Sequence, residues 1–139
     1  MTNKQFNFLQ DHSVHYLEMA FRHDRRAVID HPDGYGKRTG ECGDTVEMYL
    51  RVCDDRIKSV SFEIDGCINT NACANAVAQL VEGKSVEDAW EVTAEDVVAY
   101  LETLPSESKH CAELAVGAFY LALTSWQELK RNSWKKPYR

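Results

Sequence analysis

The sequence predicts an α+β fold in which a small antiparallel β-sheet packs against several helices, with long helices toward both ends. Two observations carry that expectation. Two short runs, Thr45–Val52 and Val60–Ile64, alternate apolar and polar residues across a polar break. Nearly everything after Gly66 shows helical spacing or helix punctuation. The 139 residues are 44% hydrophobic and 27% charged, which suits one domain with a real core over 1–139. Its body is expected over about 16–129, followed by a basic tail over 130–139.

Taken in order, residues 4 to 22 carry Val14, Leu17 and Phe21 at helical spacing, with Phe6 and Leu9 upstream. From Asp30 to Gly43 the composition shifts. His31-Pro32-Asp33-Gly34-Tyr35-Gly36, then Gly40 and Gly43, punctuate a loop-rich connection. Val46, Met48, Leu50 and Val52 then alternate with Thr45, Glu47, Tyr49 and Arg51, and Val60, Phe62 and Ile64 repeat the pattern. With Cys53-Asp54-Asp55-Arg56 between them, the two runs predict an antiparallel hairpin with one buried face.

Beyond Gly66, the alanine-rich run Ala72–Val81 predicts a helix ended by Gly83, with Asn69 and Thr70 as its candidate caps. Ser85 caps a short turn through Val86, Ala89 and Trp90. Thr93 and Asp96 have the spacing of a capping box opening a helix to Leu104, which Pro105 stops. The last helix is expected over His110–Lys130, buried in its first half.

Charge and hydropathy exclude several functions. A net charge of −6 and a pI near 5.3 argue against nucleic acid as a partner. The longest apolar run, Leu114–Leu123, is too short to span a bilayer, and the first ten residues lack the apolar stretch of a signal peptide. A cytoplasmic location is therefore expected, with no membrane association. Lys130, Arg131, Lys135, Lys136 and Arg139 form a basic stretch without an acid, read as a solvated tail or as a docking patch for an acidic protein.

Five cysteines in such a chain suggest metal-binding or buried thiols rather than a disulfide framework. Three of them lie at the edges of elements. Cys42 precedes the first strand, between Gly40 and Gly43; Cys67 follows Gly66 just ahead of a helix; Cys111 opens the last helix. A helix N-terminus offers unpaired N–H groups and partial positive charge, which favour the thiolate that binds metal. If the hairpin loop is symmetric about Asp54-Asp55, Cys42 falls opposite Cys67 at the open end. Asp44 is expected on the same strand face as Cys42, and His110 immediately precedes Cys111. Cys53, at the far end of the hairpin, and Cys73, inside a helix, are expected to be small packing residues.

At these residues the chain resembles the NifU/IscU-type iron–sulfur cluster scaffolds. The resemblance rests on Cys42-Gly43-Asp44, Asp65-Gly66-Cys67, Gly83-Lys84-Ser85-Val86-Glu87-Asp88-Ala89 and His110-Cys111 after Leu104-Pro105, in that order. It runs from about Tyr16 to Leu129. It implies that Cys42, Cys67 and Cys111 bear the cluster, with Asp44 and His110 as the nearby polar members. It implies a non-enzymatic scaffold for a transient [2Fe–2S] cluster, with [4Fe–4S] as another product, sulfur from a cysteine desulfurase, and delivery to apo iron–sulfur proteins. Such a cluster wants four ligands, usually thiolates, so Asp44 or His110 would supply a weaker fourth.

The sequence departs from the family at three places. Thr39-Gly40-Glu41 stands where a small Pro/Ala-containing segment is common, and Ile68-Asn69-Thr70-Asn71 where Gly, Ser or Ala are common. Leu104-Pro105-Ser106-Glu107-Ser108 replaces the Leu-Pro-Pro-Val-Lys stretch by which many members engage an Hsp70-type chaperone, so that dedicated chaperone is not an expected partner. The chain is also expected to end with the scaffold domain, without an added ferredoxin-like or CxxC domain.

The main competing reading is a zinc-bearing sulfur-transfer protein, with Cys42, Asp44, Cys67 and Cys111 closing a tetrahedral Zn²⁺ site. Relatives of that kind carry an insertion between the second and third site cysteines, and none is evident here. Two further readings are a structural domain with inert thiols and a thiol enzyme built on His110-Cys111. Adjacent helical positions diverge by about 100°, so His110 is expected to be poorly placed to serve Cys111 as base.

Overall fold

The computed structural model describes residues 12–41 and 43–135, with side chains described as far as Arg131. Helix α1 (Val14–Phe21) is followed by strands β1 (Gly34–Thr39), β2 (Thr45–Cys53) and β3 (Arg56–Asp65). Helices α2 (Ile68–Val81), α3 (Val86–Ala89) and α4 (Ala94–Leu101) come next, then a 3₁₀ turn (Ser106–Ser108) and the long helix α5 (Lys109–Lys135). The fold is α+β, as the sequence predicts.

The sheet has three antiparallel strands in the order β1-β2-β3. The β2–β3 hairpin closes on Asp54 and Asp55 with φ of 54° and 59°. Both central residues are thus left-handed, as a two-residue hairpin turn requires, with aspartate standing where Asn-Gly is usual. Val46, Met48, Leu50, Val60 and Phe62 face a core completed by Ala72, Ala76, Ala115, Ala118, Phe119 and Leu123 from α2 and α5.

Strand β1 departs from expectation, because residues 34–39 read as loop. Its inward positions are Gly34 and Gly36, where a Cβ would collide with the backbone of α5 at Ala118 and Ala122. The strand lies directly on the helix backbone, so it lacks the apolar alternation by which strands are recognised. Register is a second correction. Cys53 pairs with Arg56 as a symmetric loop demands, but an irregularity between Arg51 and Val52 shifts the ladder by one residue, and it ends at Thr45↔Asp65. The alignment that set Cys42 against Cys67 therefore does not extend along the hairpin.

Helix α1 buries Tyr16, Met19 and Ala20, while Val14 and Phe21 are 68% and 54% exposed. The positions 16, 19 and 20 make the tighter helical stripe, and Tyr16 is held there by a hydroxyl bond to Asn69 Oδ1. Phe6, Leu9 and the bases beyond Lys135 lie outside the described residues.

The helix punctuation of the second half is present. Ser85 accepts from Asp88 N–H, Thr93 and Asp96 form a reciprocal capping box, and Gly83 takes a φ of +88° just past the end of α2. Helix α4 ends at Leu101 rather than Leu104. Glu102 turns left-handed, and Ser13, at the start of α1, donates its hydroxyl to the Leu101 carbonyl. Among the described residues no helix is long and apolar enough to cross a membrane.

Candidate metal centre

Three chain segments converge at one end of the sheet. The turn between β1 and β2 is closed by Gly43 N–H to the Gly40 carbonyl (3.0 Å) and Gly40 N–H to the Asp44 carbonyl (2.8 Å). Gly43 has a φ of +94°, which suits glycine, and Asp44 emerges from this turn just before β2. From the second segment, Cys67 is the N-cap residue of α2. From the third, Cys111 lies in the first turn of α5 and is buried.

A carboxylate oxygen of Asp44 and the sulfurs of Cys67 and Cys111 all lie within 4.8 Å of one another. Two thiols and a carboxylate so close form a donor set suited to iron or zinc, which accept both sulfur and oxygen. Cys42 lies outside the described residues. His110 does not belong to the triple, but its Nε2 is 3.7 Å from Cys111 Sγ. The imidazole therefore stands nearer the thiol than the expectation of a poorly placed base allowed, because the side chain can curl back at an exposed helix start. His110 also lines an open cleft of about 450 Å³ with Arg38, Gly40, Glu41, Glu113 and Leu114.

The environment of Cys67 favours its thiolate. Partial burial works against ionisation, but the backbone N–H groups of Thr70 and Asn69 outweigh it, although the Asp44 carboxylate opposes them. The net effect lowers the thiol below its ordinary range. Cys73 has the opposite fate. Deep burial, with smaller contributions from Cys111 and Cys67, pushes its thiol well up. Cys73 is thus a packing residue, whereas Cys53, expected to be one, is exposed at the hairpin tip.

Thr70 was expected to cap a helix beginning at Ala72. The helix instead starts at Ile68, and Thr70 is a fully buried residue within its first turn. Its hydroxyl donates to Asp44 Oδ2 at 2.9 Å and lies 3.7 Å from both Cys67 Sγ and Cys111 Sγ. The signal that could have found it is spacing. Thr70 stands three residues after Cys67, on the same face once the helix starts early enough. Asn69 braces the same turn, accepting from the Tyr16 hydroxyl (2.6 Å) and donating to Ser108 (2.9 Å) ahead of α5.

Residues 23–133 match the family model described as NifU-like N terminal domain. The chain is 31% identical over 116 residues to iron-sulfur cluster assembly scaffold protein IscU 1 of Archaeoglobus fulgidus, covering 80% of this chain and 76% of that protein. It is 25% identical over 126 residues to the nitrogen fixation protein NifU of Nostoc, covering 84% of this chain and 42% of that longer protein. A crystal structure of a NifU-like protein (N-terminal) from Brucella abortus superposes with a TM-score of 0.65 at 19% identity, covering 84% of this chain and 94% of that one. The crystal structure of a putative iron-sulfur cluster assembly scaffold protein from Fervidobacterium islandicum gives 0.66 at 17% identity, covering 82% and 97%. At these identities the two structures speak for the fold.

Proposed function

The chain belongs to the NifU-like N-terminal domain family, and on that premise we propose that it is a scaffold on which an iron–sulfur cluster is assembled and from which it is handed to apo-proteins. It is not an enzyme in this reading; the cluster is cargo. The observation that carries it is the convergence of Asp44, Cys67 and Cys111 within 4.8 Å.

We assign Cys67 and Cys111 as thiolate ligands, with Cys42 as the third by its place in the family motif, and Asp44 as the oxygen donor. Asp44 is preferred to His110 as the fourth ligand because its carboxylate oxygen lies within 4.8 Å of both sulfurs, a group to which His110 does not belong. A three-thiolate set completed by a carboxylate holds a [2Fe–2S] unit less firmly than four thiolates, which suits a protein that must release it. Zn²⁺ competes for the same donors.

Sulfur comes from a cysteine desulfurase in this account, and the work belongs to the cytoplasm, where thiols stay reduced. Desulfurase, cysteine and ferrous iron, supplied without oxygen and followed by an apo-ferredoxin, test the reading. The acceptor should gain its visible spectrum faster than in a control lacking this protein. No acceleration would overturn the proposal.

A further inference from the structure

The site contains a buried hydroxyl that the metal ligands alone do not explain. A threonine hydroxyl has one proton to donate, and an ionised carboxylate can only accept, so the 2.9 Å contact from Thr70 Oγ1 to Asp44 Oδ2 uses that proton. The oxygen's lone pairs are left facing the two sulfurs, each at 3.7 Å. One atom thus touches a donor from each converging segment. Among the described residues, this is the hydrogen bond that fixes the Asp44 side chain.

Gly66 gives a second, independent observation. A Cβ at that position would stand 2.7 Å from Thr70 Oγ1, 3.0 Å from Thr70 Cβ and 3.1 Å from Asp44 Oδ2. The chain passes so close to the threonine–aspartate pair that a side chain there would displace one of them. The φ of Gly66 is not among the left-handed ones, so room rather than backbone conformation calls for glycine here. Thr70 itself is β-branched and within a helix, where few rotamers are open, so its hydroxyl is held in direction.

We propose that Thr70 is a positioning residue that holds the Asp44 carboxylate over the Cys67–Cys111 thiol pair and thereby sets how long bound metal or cluster is retained. The inference deepens the scaffold reading and rests on it for the word cluster; the positioning of Asp44 toward a metal does not depend on it. Hydrogen-bonded partners that orient a ligating carboxylate typically contribute about 10–100-fold to metal affinity.

The test uses Co²⁺ as a single-ion probe, read by its thiolate charge-transfer and ligand-field absorption, on wild type, Thr70→Ser, Thr70→Val, Asp44→Ala and the Asp44→Ala/Thr70→Val double variant. Thr70→Val should weaken Co²⁺ binding by at least about 10-fold. Thr70→Ser, which keeps the hydroxyl, should restore it. The double variant should bind no more weakly than Asp44→Ala, because the threonine acts through the aspartate. Thr70→Ala serves in place of valine if the added methyl disturbs folding, and melting temperatures separate a binding loss from a folding loss.

With reconstituted cluster, Thr70→Val and Asp44→Ala should shift the lifetime in the same direction, and the double variant no further. Wild-type Co²⁺ affinity in Thr70→Val, losses that multiply in the double variant, or a serine variant as weak as valine would each overturn the proposal. A wild type that binds Co²⁺ through Asp44 but holds no iron and sulfide would overturn the scaffold reading and leave Thr70's role standing.

Discussion

At Cys67 two physical effects oppose each other. Burial disfavours the charged thiolate, while two backbone N–H groups at the start of α2 stabilise it and prevail. An acid with a lowered pKa is charged over a wider pH range. As pH rises, Cys67 should therefore reach its half-maximal rate of alkylation by iodoacetamide, followed on its own peptide, at a lower pH than free cysteine does. A midpoint at or above that of free cysteine in the Cys53→Ser/Cys73→Ala background would refute the assignment. Cys73, buried in the core with its thiol pushed up, should stay unreactive until the fold opens. Residue types and breakers made part of this legible. Gly66 ahead of Cys67, and Pro105 as the stop of the helix before Cys111, set both thiols at element edges in the sequence. Thr70 was not legible, because a threonine near a helix start reads as a cap whether its hydroxyl faces its own backbone or a neighbouring segment.

Among the elements, the hairpin and the capped helices were visible because each carries a local signal: strict alternation, Ser85, or the Thr93–Asp96 box. Strand β1 carried none. Its glycines mean close approach to α5, and the same letters in sequence mean loop. This close packing yields a paired prediction. Gly36→Ala would drive a methyl into α5 backbone at Ala118 and Ala122, which cannot yield, and should cost about 2–3 kcal/mol. At Gly117 the three nearest atoms a methyl would meet all belong to the exposed, flexible Arg38 side chain, which can swing away, and alanine is favoured over glycine within a helix by about 1 kcal/mol. Urea denaturation should find Gly117→Ala neutral to stabilising. Equal destabilisation by both would show that β1 does not lie on α5 in this way.

Over the whole molecule, polar braces tie the segments that carry the site. Asn71 and Asn75 of α2 donate to the last carbonyls of α1, at Met19, Ala20 and Arg22. Arg25, 7% exposed, pairs with Glu82 at 2.8 Å, and Glu82 also accepts from Val60 N–H of β3. One ion pair thereby joins the segment after α1, the end of α2 and the sheet. Glu82 is partly exposed and would keep its bond from Val60 N–H, so Arg25→Ala should cost about 1.5–3 kcal/mol in urea unfolding, the range for a hydrogen bond to a charged group. Co²⁺ binding by the folded fraction should persist, since Arg25 contacts none of the site donors. The convergence of β1–β2 turn, α2 and α5 belongs to this scale. No local pattern states it; only the ordered motifs of the whole chain did.

Iron and acid-labile sulfide analysis, with a visible spectrum, on protein purified without oxygen and reconstituted with iron, cysteine and a desulfurase, tests the central claim most directly. The account predicts iron and sulfide in near-equal amounts with sulfur-to-iron charge-transfer absorption, both lost in Cys67→Ala and Cys111→Ala and retained in Cys53→Ala. Tightly held zinc without sulfide, resistant to replacement by iron, would contradict it.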